Sequence, residues 1–154
     1  VSVAYFDTSA LLKQYVTEDG SHWVRAYLAT LPAHGVFTSC LITVEMTSAF
    51  ARRLREHILT ADMFDTVEQA FDYDAKYKYN LLDVTPTILT EARRLIKRYP
   101  LRAYDAVHLA TAWLANQKLV VARKSPLTFI CADKRLSESA KAEGLPVENP
   151  NDYR

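Results

Sequence analysis

Asp7, Glu45, Asp105 and Asp133 are the residues whose types and placement point to chemistry. Asp7 ends the apolar run Val3-Ala4-Tyr5-Phe6, and Asp133 follows Phe129-Ile130-Cys131-Ala132. Both carboxylates leave strand-like segments at their carboxyl ends, where open α/β sheets bind ligands. Each acid also has an ordinary structural role open to it. Asp7 suits a turn or a helix cap, and Asp133 suits the cap of a helix that opens with Lys134-Arg135. Helical spacing puts Glu45 on one face with Leu41, Ser48, Ala49 and Arg52, so it also reads as a solvated edge paired with a base. Asp105 fits a bland role least well, because Leu109, Ala112 and Trp113 share its helix face. Burying such a carboxylate costs several kcal/mol in rough terms, of which a helix amino terminus offsets only about 0.3 to 1 kcal/mol. Brought together, four acids repel strongly unless a cation lies between them.

Oxygen-only ligands suit Mg²⁺ or Mn²⁺ rather than zinc, which favours His and Cys. His22, His34, His57 and His108 show no zinc-protease spacing. His108 lies three residues after Asp105, within reach of it, and reads as a packing or supporting residue. A carboxylate cage holding a hard cation activates water and steadies charge on a phosphodiester.

Elements that place these acids can be read along the chain. Strand candidates are Ser2 to Phe6, Val36 to Thr38, Leu81 to Val84, Leu127 to Cys131 and, at an edge, Pro146 to Glu148. Helical patterns run from Ser9 to Val16 with Thr8 or Ser9 as cap, from Ser21 as cap to about Leu31, and from about Leu41 to Glu56. Others run from a Thr60 cap to about Tyr77, from Pro86 to Arg98, from Ala103 to Gln117 and from Ser137 to Glu143. Strands alternating with helices predict an α/β fold with a mostly parallel central sheet of four to five strands, covered by helices on both faces.

The chain has 154 residues, 49% of them hydrophobic and 24% charged, which predicts one domain spanning residues 1–154 with a sizeable core. A net charge of +1 sets up no overall field for nucleic acid, but acids clustered in one place leave basic surface elsewhere. Cys40 and Cys131 lack metal-ligand spacing and read as small apolar packers. No stretch is long and apolar enough for a membrane span, and the start carries no signal-like run, so the expected location is cytoplasmic.

The stretch Tyr5-Phe6-Asp7-Thr8-Ser9-Ala10-Leu11-Leu12-Lys13-Gln14-Tyr15 resembles the opening of PIN-domain ribonucleases, especially the VapC-like toxins of toxin-antitoxin pairs. Three more blocks match in order and spacing: Leu41 to Ala49 around Glu45, Leu101 to Ala110 around Asp105, and Phe129 to Leu136 around Asp133. The resemblance spans nearly the whole chain. It implies a PIN-like three-layer α/β/α sandwich in which Asp7, Glu45, Asp105 and Asp133 form the catalytic metal pocket, with Ser9 as a supporting hydroxyl. It further implies a Mg²⁺- or Mn²⁺-dependent endoribonuclease, a small antitoxin that covers the cleft, and a homodimer.

An RNA substrate needs positive charge beside the acids, and Arg52, Arg102, Lys134 and Arg135 are the candidates. The runs Arg52 to Arg55 and Arg93 to Arg98 read as solvated basic helix faces, and Tyr73, Tyr77 and Tyr79 as an interface. A haloacid-dehalogenase-type phosphatase would carry Asp-x-Asp, but position 9 is serine, and the acidic pair of a receiver domain is missing. The stronger rival is a non-catalytic PIN-like module that binds RNA or a protein.

Overall fold

A computed structural model describes residues 2–154. Its centre is β1 (Ala4–Phe6), whose three residues are all buried. Alternation along this strand sends Tyr5 to one face of the sheet and Ala4 and Phe6 to the other, so each face starts a separate core. The helices α1 (Thr8–Tyr15), α2 (Ser21–Thr30), α3 (Ile42–Arg55) and α4 (Ala61–Tyr77) supply the core around Phe6, Leu11, Met46, Phe50 and Phe71. The opposite core, around Tyr5 and Phe129, comes from α5 (Pro86–Arg98), α6 (Ala103–Val121) and α7 (Lys134–Ala142). The result is a three-layer α/β/α arrangement.

The remaining strands are β2 (Val36–Ser39), β3 (Asn80–Leu82), β4 (Thr128–Ile130) and β5 (Val147–Glu148), followed by a short 3₁₀ turn at Pro150–Asp152. Spatial order is β3-β2-β1-β4-β5, with every pairing parallel. The chain winds outward from β1 through β2 to β3, then returns to lay β4 on the other side of β1. That reversal opens a crevice at the carboxyl ends of β1 and β4, the position at which open parallel sheets hold ligands. Asp7 follows β1 directly, and Asp133 lies just beyond β4.

Several element ends differ from the sequence reading. Of the caps the sequence offers for α1, it is Asp7 that serves, its carboxylate accepting from the Ala10 amide, and not Thr8 or Ser9. Ser21 does not cap α2; Gly20 does, in the left-handed region at φ 85° and without a side-chain bond. A Cβ on Gly20 would lie 2.9 Å from Pro150, so both the backbone and the close approach require glycine there. Helix α6 runs on to Val121, past the expected end at Gln117, and α7 begins at Lys134 instead of Ser137 because the Asp133 carboxylate accepts from the Leu136 amide. Thr60 caps α4 and Pro86 takes the first position of α5, in line with the sequence, and Thr85 supplies the α5 cap, which the sequence reading did not name. Among the described residues, no helix is long and apolar enough to cross a membrane.

Candidate active site

Asp7, Glu45, Asp105 and Asp133 line one cleft of about 670 Å³, together with Thr8, Ser9, Ser48, Arg52, Arg102 and His108. A larger hollow of about 760 Å³ near Phe37, Leu82, Leu114 and Leu119 is mostly apolar and gathers no carboxylate pair. The acids come from four separate elements. Asp7 and Asp133 cap α1 and α7 at the crevice, Glu45 lies in the first turn of α3, and Asp105 in the first turn of α6. Three helix amino termini therefore bring their partial positive charge to the cleft alongside α3, which offsets part of the repulsion between acids.

Asp7 is the most enclosed of the four, at 4% exposed. The Ser9 hydroxyl lies 2.8 and 2.9 Å from its two oxygens, and the Cys131 thiol donates to Oδ2 at 3.1 Å. Ser9 in turn accepts from the Ala132 amide, which joins the β1 and β4 ends of the crevice through one hydroxyl. Burial raises the Asp7 carboxyl above its ordinary value, with His108, Ser9, Cys131 and the Ala10 amide opposing the shift. Burial likewise raises Asp105, against the pull of Arg102, and the Asp133 charge pushes in the same direction as burial. Two carboxyls held above their usual range in one cleft lack positive charge.

Arg102 brings a guanidinium to Asp105 at 3.3 Å and Asp133 at 3.9 Å. Its side chain is 81% exposed, so these contacts are weak and easily exchanged. Arg52 lines the cleft on the Glu45 face of α3, as the helical spacing requires. Lys134 and Arg135 do not line it, although both are exposed. Arg53, which the sequence reading left among surface bases, also lines the cleft but is engaged by Glu18 at 3.2 Å.

His108 is a buried supporting residue, as the sequence suggests, but its partner is not Asp105. It turns away from hydrogen bonding with Asp105 and instead bridges Tyr5 and Glu45, at 2.8 and 2.6 Å. Cys131 is more than a packer, since its thiol bonds Asp7. Two apolar residues next to the acids stand out at the surface: Val44 at 71% exposed and Tyr104 at 61%. Their adjacency to Glu45 and Asp105 is the one signal of them in the sequence.

Among the described residues, no three acidic, histidine or cysteine side chains are gathered tightly enough to make a ready cage. The donor chemistry still fits a hard divalent ion. Mg²⁺ retains several waters and is commonly held through one or two carboxylates, and the oxygen-rich cleft with two burial-raised acids offers that.

A parallel α/β sandwich with carboxylates at its switch crevice defines a class of proteins with acid-lined, cation-seeking clefts. Within that class the chain belongs to the PIN-domain family, whose model matches residues 4–141. It is 32% identical over 146 residues to Ribonuclease VapC45 of Mycobacterium tuberculosis, covering 94% of each chain, and equally to Ribonuclease VapC49 of the same species. Among solved structures, FitAcB from Neisseria gonorrhoeae shares the fold with a TM-score of 0.66 at 16% identity, covering 96% of this chain and 98% of that one. A toxin-antitoxin complex from Klebsiella pneumoniae does so with a TM-score of 0.56 at 19% identity, covering 96% and 97%.

Proposed function

We propose that this chain is a VapC-type endoribonuclease that hydrolyses RNA phosphodiester bonds with a divalent metal ion, Mg²⁺ or in its place Mn²⁺. The observation that carries the reading is the convergence of Asp7, Glu45, Asp105 and Asp133 on one cleft at the sheet's switch point. Relatives named as ribonucleases that match along 94% of the chain support it.

In this reading Asp7 and Asp105 hold the ion, directly or through water, and Glu45 and Asp133 complete the acidic set. Once bound, the ion supplies an activated water and stabilises charge on the phosphoryl and leaving oxygens. The chain's own part is orientation. Ser9 and Cys131 lock the Asp7 carboxylate from behind, so its position is set before any ligand arrives. Arg52 and Arg102 receive the phosphates on either side of the scissile bond, fixing the strand without reading its sequence. Tyr104, exposed at the rim, offers a ring on which a neighbouring base stacks.

The same surface suits a small antitoxin that covers the cleft, with Val44 and Tyr104 as its apolar footholds. One domain over residues 1–154, acting in the cytoplasm as a homodimer, completes the reading. The test is cleavage of pooled cellular RNA by purified protein with Mg²⁺, Mn²⁺ or chelator, beside Asp7→Asn and Asp105→Asn. Cutting should need metal and fall at least on the order of a hundredfold in each variant. Cutting that persists in chelator, or at full rate in both variants, would overturn the proposal, and RNA binding without cutting would favour a non-catalytic module.

A further inference from the structure

Tyr5, His108 and Glu45 form a chain of hydrogen bonds that runs from the middle of the core to the cleft wall. Tyr5 is fully buried in β1, its ring stacked on Phe129 of β4 with centroids 5.6 Å apart. His108 is 1% exposed and stands edge-on to the Tyr5 ring at 5.9 Å. Tyr5 Oη lies 2.8 Å from Nδ1 and Glu45 Oε1 lies 2.6 Å from Nε2. A carboxylate only accepts hydrogen bonds, so Glu45 assigns a hydrogen to Nε2, while the tyrosine hydroxyl, able to donate or accept, bonds Nδ1 from the other side of the ring.

Packing alone does not account for this arrangement. A phenylalanine and a leucine would fill the same space without burying three polar groups, whose desolvation must be repaid by good hydrogen bonds. What the chain of bonds adds is control of Glu45. A glutamate has three side-chain torsions, and freezing them at the moment of ligand binding weakens that binding. Here one oxygen, Oε1, is already committed to His108, while the carboxylate lines the cleft.

We infer that His108, its ring held in place by Tyr5, is a positioning residue that presets the Glu45 carboxylate for the metal ion. The inference rests on the metal-dependent reading of the cleft. Outer residues that orient a ligand in this way typically change metal affinity by about 10- to 100-fold when removed.

The test measures Mn²⁺ binding to the metal-free protein by calorimetry, independent of any RNA cleavage. His108→Ala should weaken binding by about 10- to 100-fold. His108→Gln, whose amide nitrogen can donate to Glu45, should recover most of that loss, and Tyr5→Phe should give a smaller one. On a Glu45→Gln background, His108→Ala should add less than about threefold, because the coupling acts through that carboxylate. If His108→Ala fails to fold, Tyr5→Phe carries the same cycle with Glu45→Gln. Wild-type affinity in His108→Ala, or a full further loss on the Glu45→Gln background, would overturn the inference while leaving the nuclease reading intact. Absence of Mn²⁺ binding in the wild type would overturn both.

Discussion

Arg102 is bound to the cleft acids by little more than proximity, with its side chain mostly in solvent. A divalent ion entering between Asp105 and Asp133 would compete with this guanidinium for the same negative charge, and a displaced Arg102 is free to take a phosphate. Arg102→Ala should therefore move two affinities in opposite directions. Mn²⁺ binding should hold or tighten, while RNA binding weakens and the slope of its salt dependence falls by about one. Calorimetry for the ion and a salt titration for RNA would check both; weaker metal binding in the variant would refute the competition. Asp7→Asn tests a different balance. An asparagine keeps the cap on α1, because its amide oxygen can still accept from the Ala10 amide, and it relieves the buried charge. Thermal denaturation of metal-free protein should show a midpoint at or above that of the wild type.

At the scale of elements, the acidic cleft depends on where α5 ends and α6 begins. Glu143, the last cap of α7, holds that junction. It accepts from Arg94 at 2.6 Å and Tyr99 at 2.7 Å, with Arg98 at 3.7 Å. Burial alone would raise the Glu143 carboxyl, but the bonds from Tyr99 and Arg94 and the charges of Arg94 and Arg98 outweigh it and hold it below 4.5. A carboxyl that titrates lower in the folded chain than in the unfolded one stabilises the fold above the unfolded value. That stability is lost as pH falls from about 4.5 through the lowered folded value. Glu143→Gln should cost about 1–2 kcal/mol near neutral pH and flatten the acid limb of the stability profile. Denaturant titrations from pH 3 to pH 7 would check it, with a parallel acid limb counting against the latch. This latch was invisible in the sequence, since Arg94 and Glu143 are 49 positions apart and each reads as ordinary surface. The elements themselves were legible: short β-branched or aromatic runs, Thr60 and Pro86 gave starts and stops by local chemistry. What local chemistry could not settle was which of several adjacent residues caps a helix, as at Asp7 beside Thr8 and Ser9 and at Gly20 beside Ser21, because the capping geometry depends on the segment before it.

For the molecule as a whole, Asp7 and Asp133 were legible because they follow apolar strands and Asp105 because its helix face is apolar, whereas the spacing around Glu45 also read as a solvated edge and the family resemblance brought it into the set. Of the partners that orient them, Ser9 was expected from the resemblance and the rest were not. Tyr5 and His108 are 103 positions apart, and Cys131 is 124 from Asp7, so only the packing of α6 on β1 and the pairing of β1 with β4 reveal them. That pairing also makes the middle strand dependent on a distant one. A chain truncated after residue 126 should leave the Tyr5 core face open and fail to fold cooperatively, which circular dichroism and thermal melting would show; a native-like melt would contradict the dependence. Synthesis on the ribosome proceeds from Asp7 toward Asp133, so β1 waits, flanked on one side only, while some 120 residues emerge. The growing polypeptide thus has no working cleft beside the ribosome's own RNA. Until β4 has been made and paired with β1, Asp133 is missing from the cleft and the Asp7 carboxylate lacks its Cys131 donor.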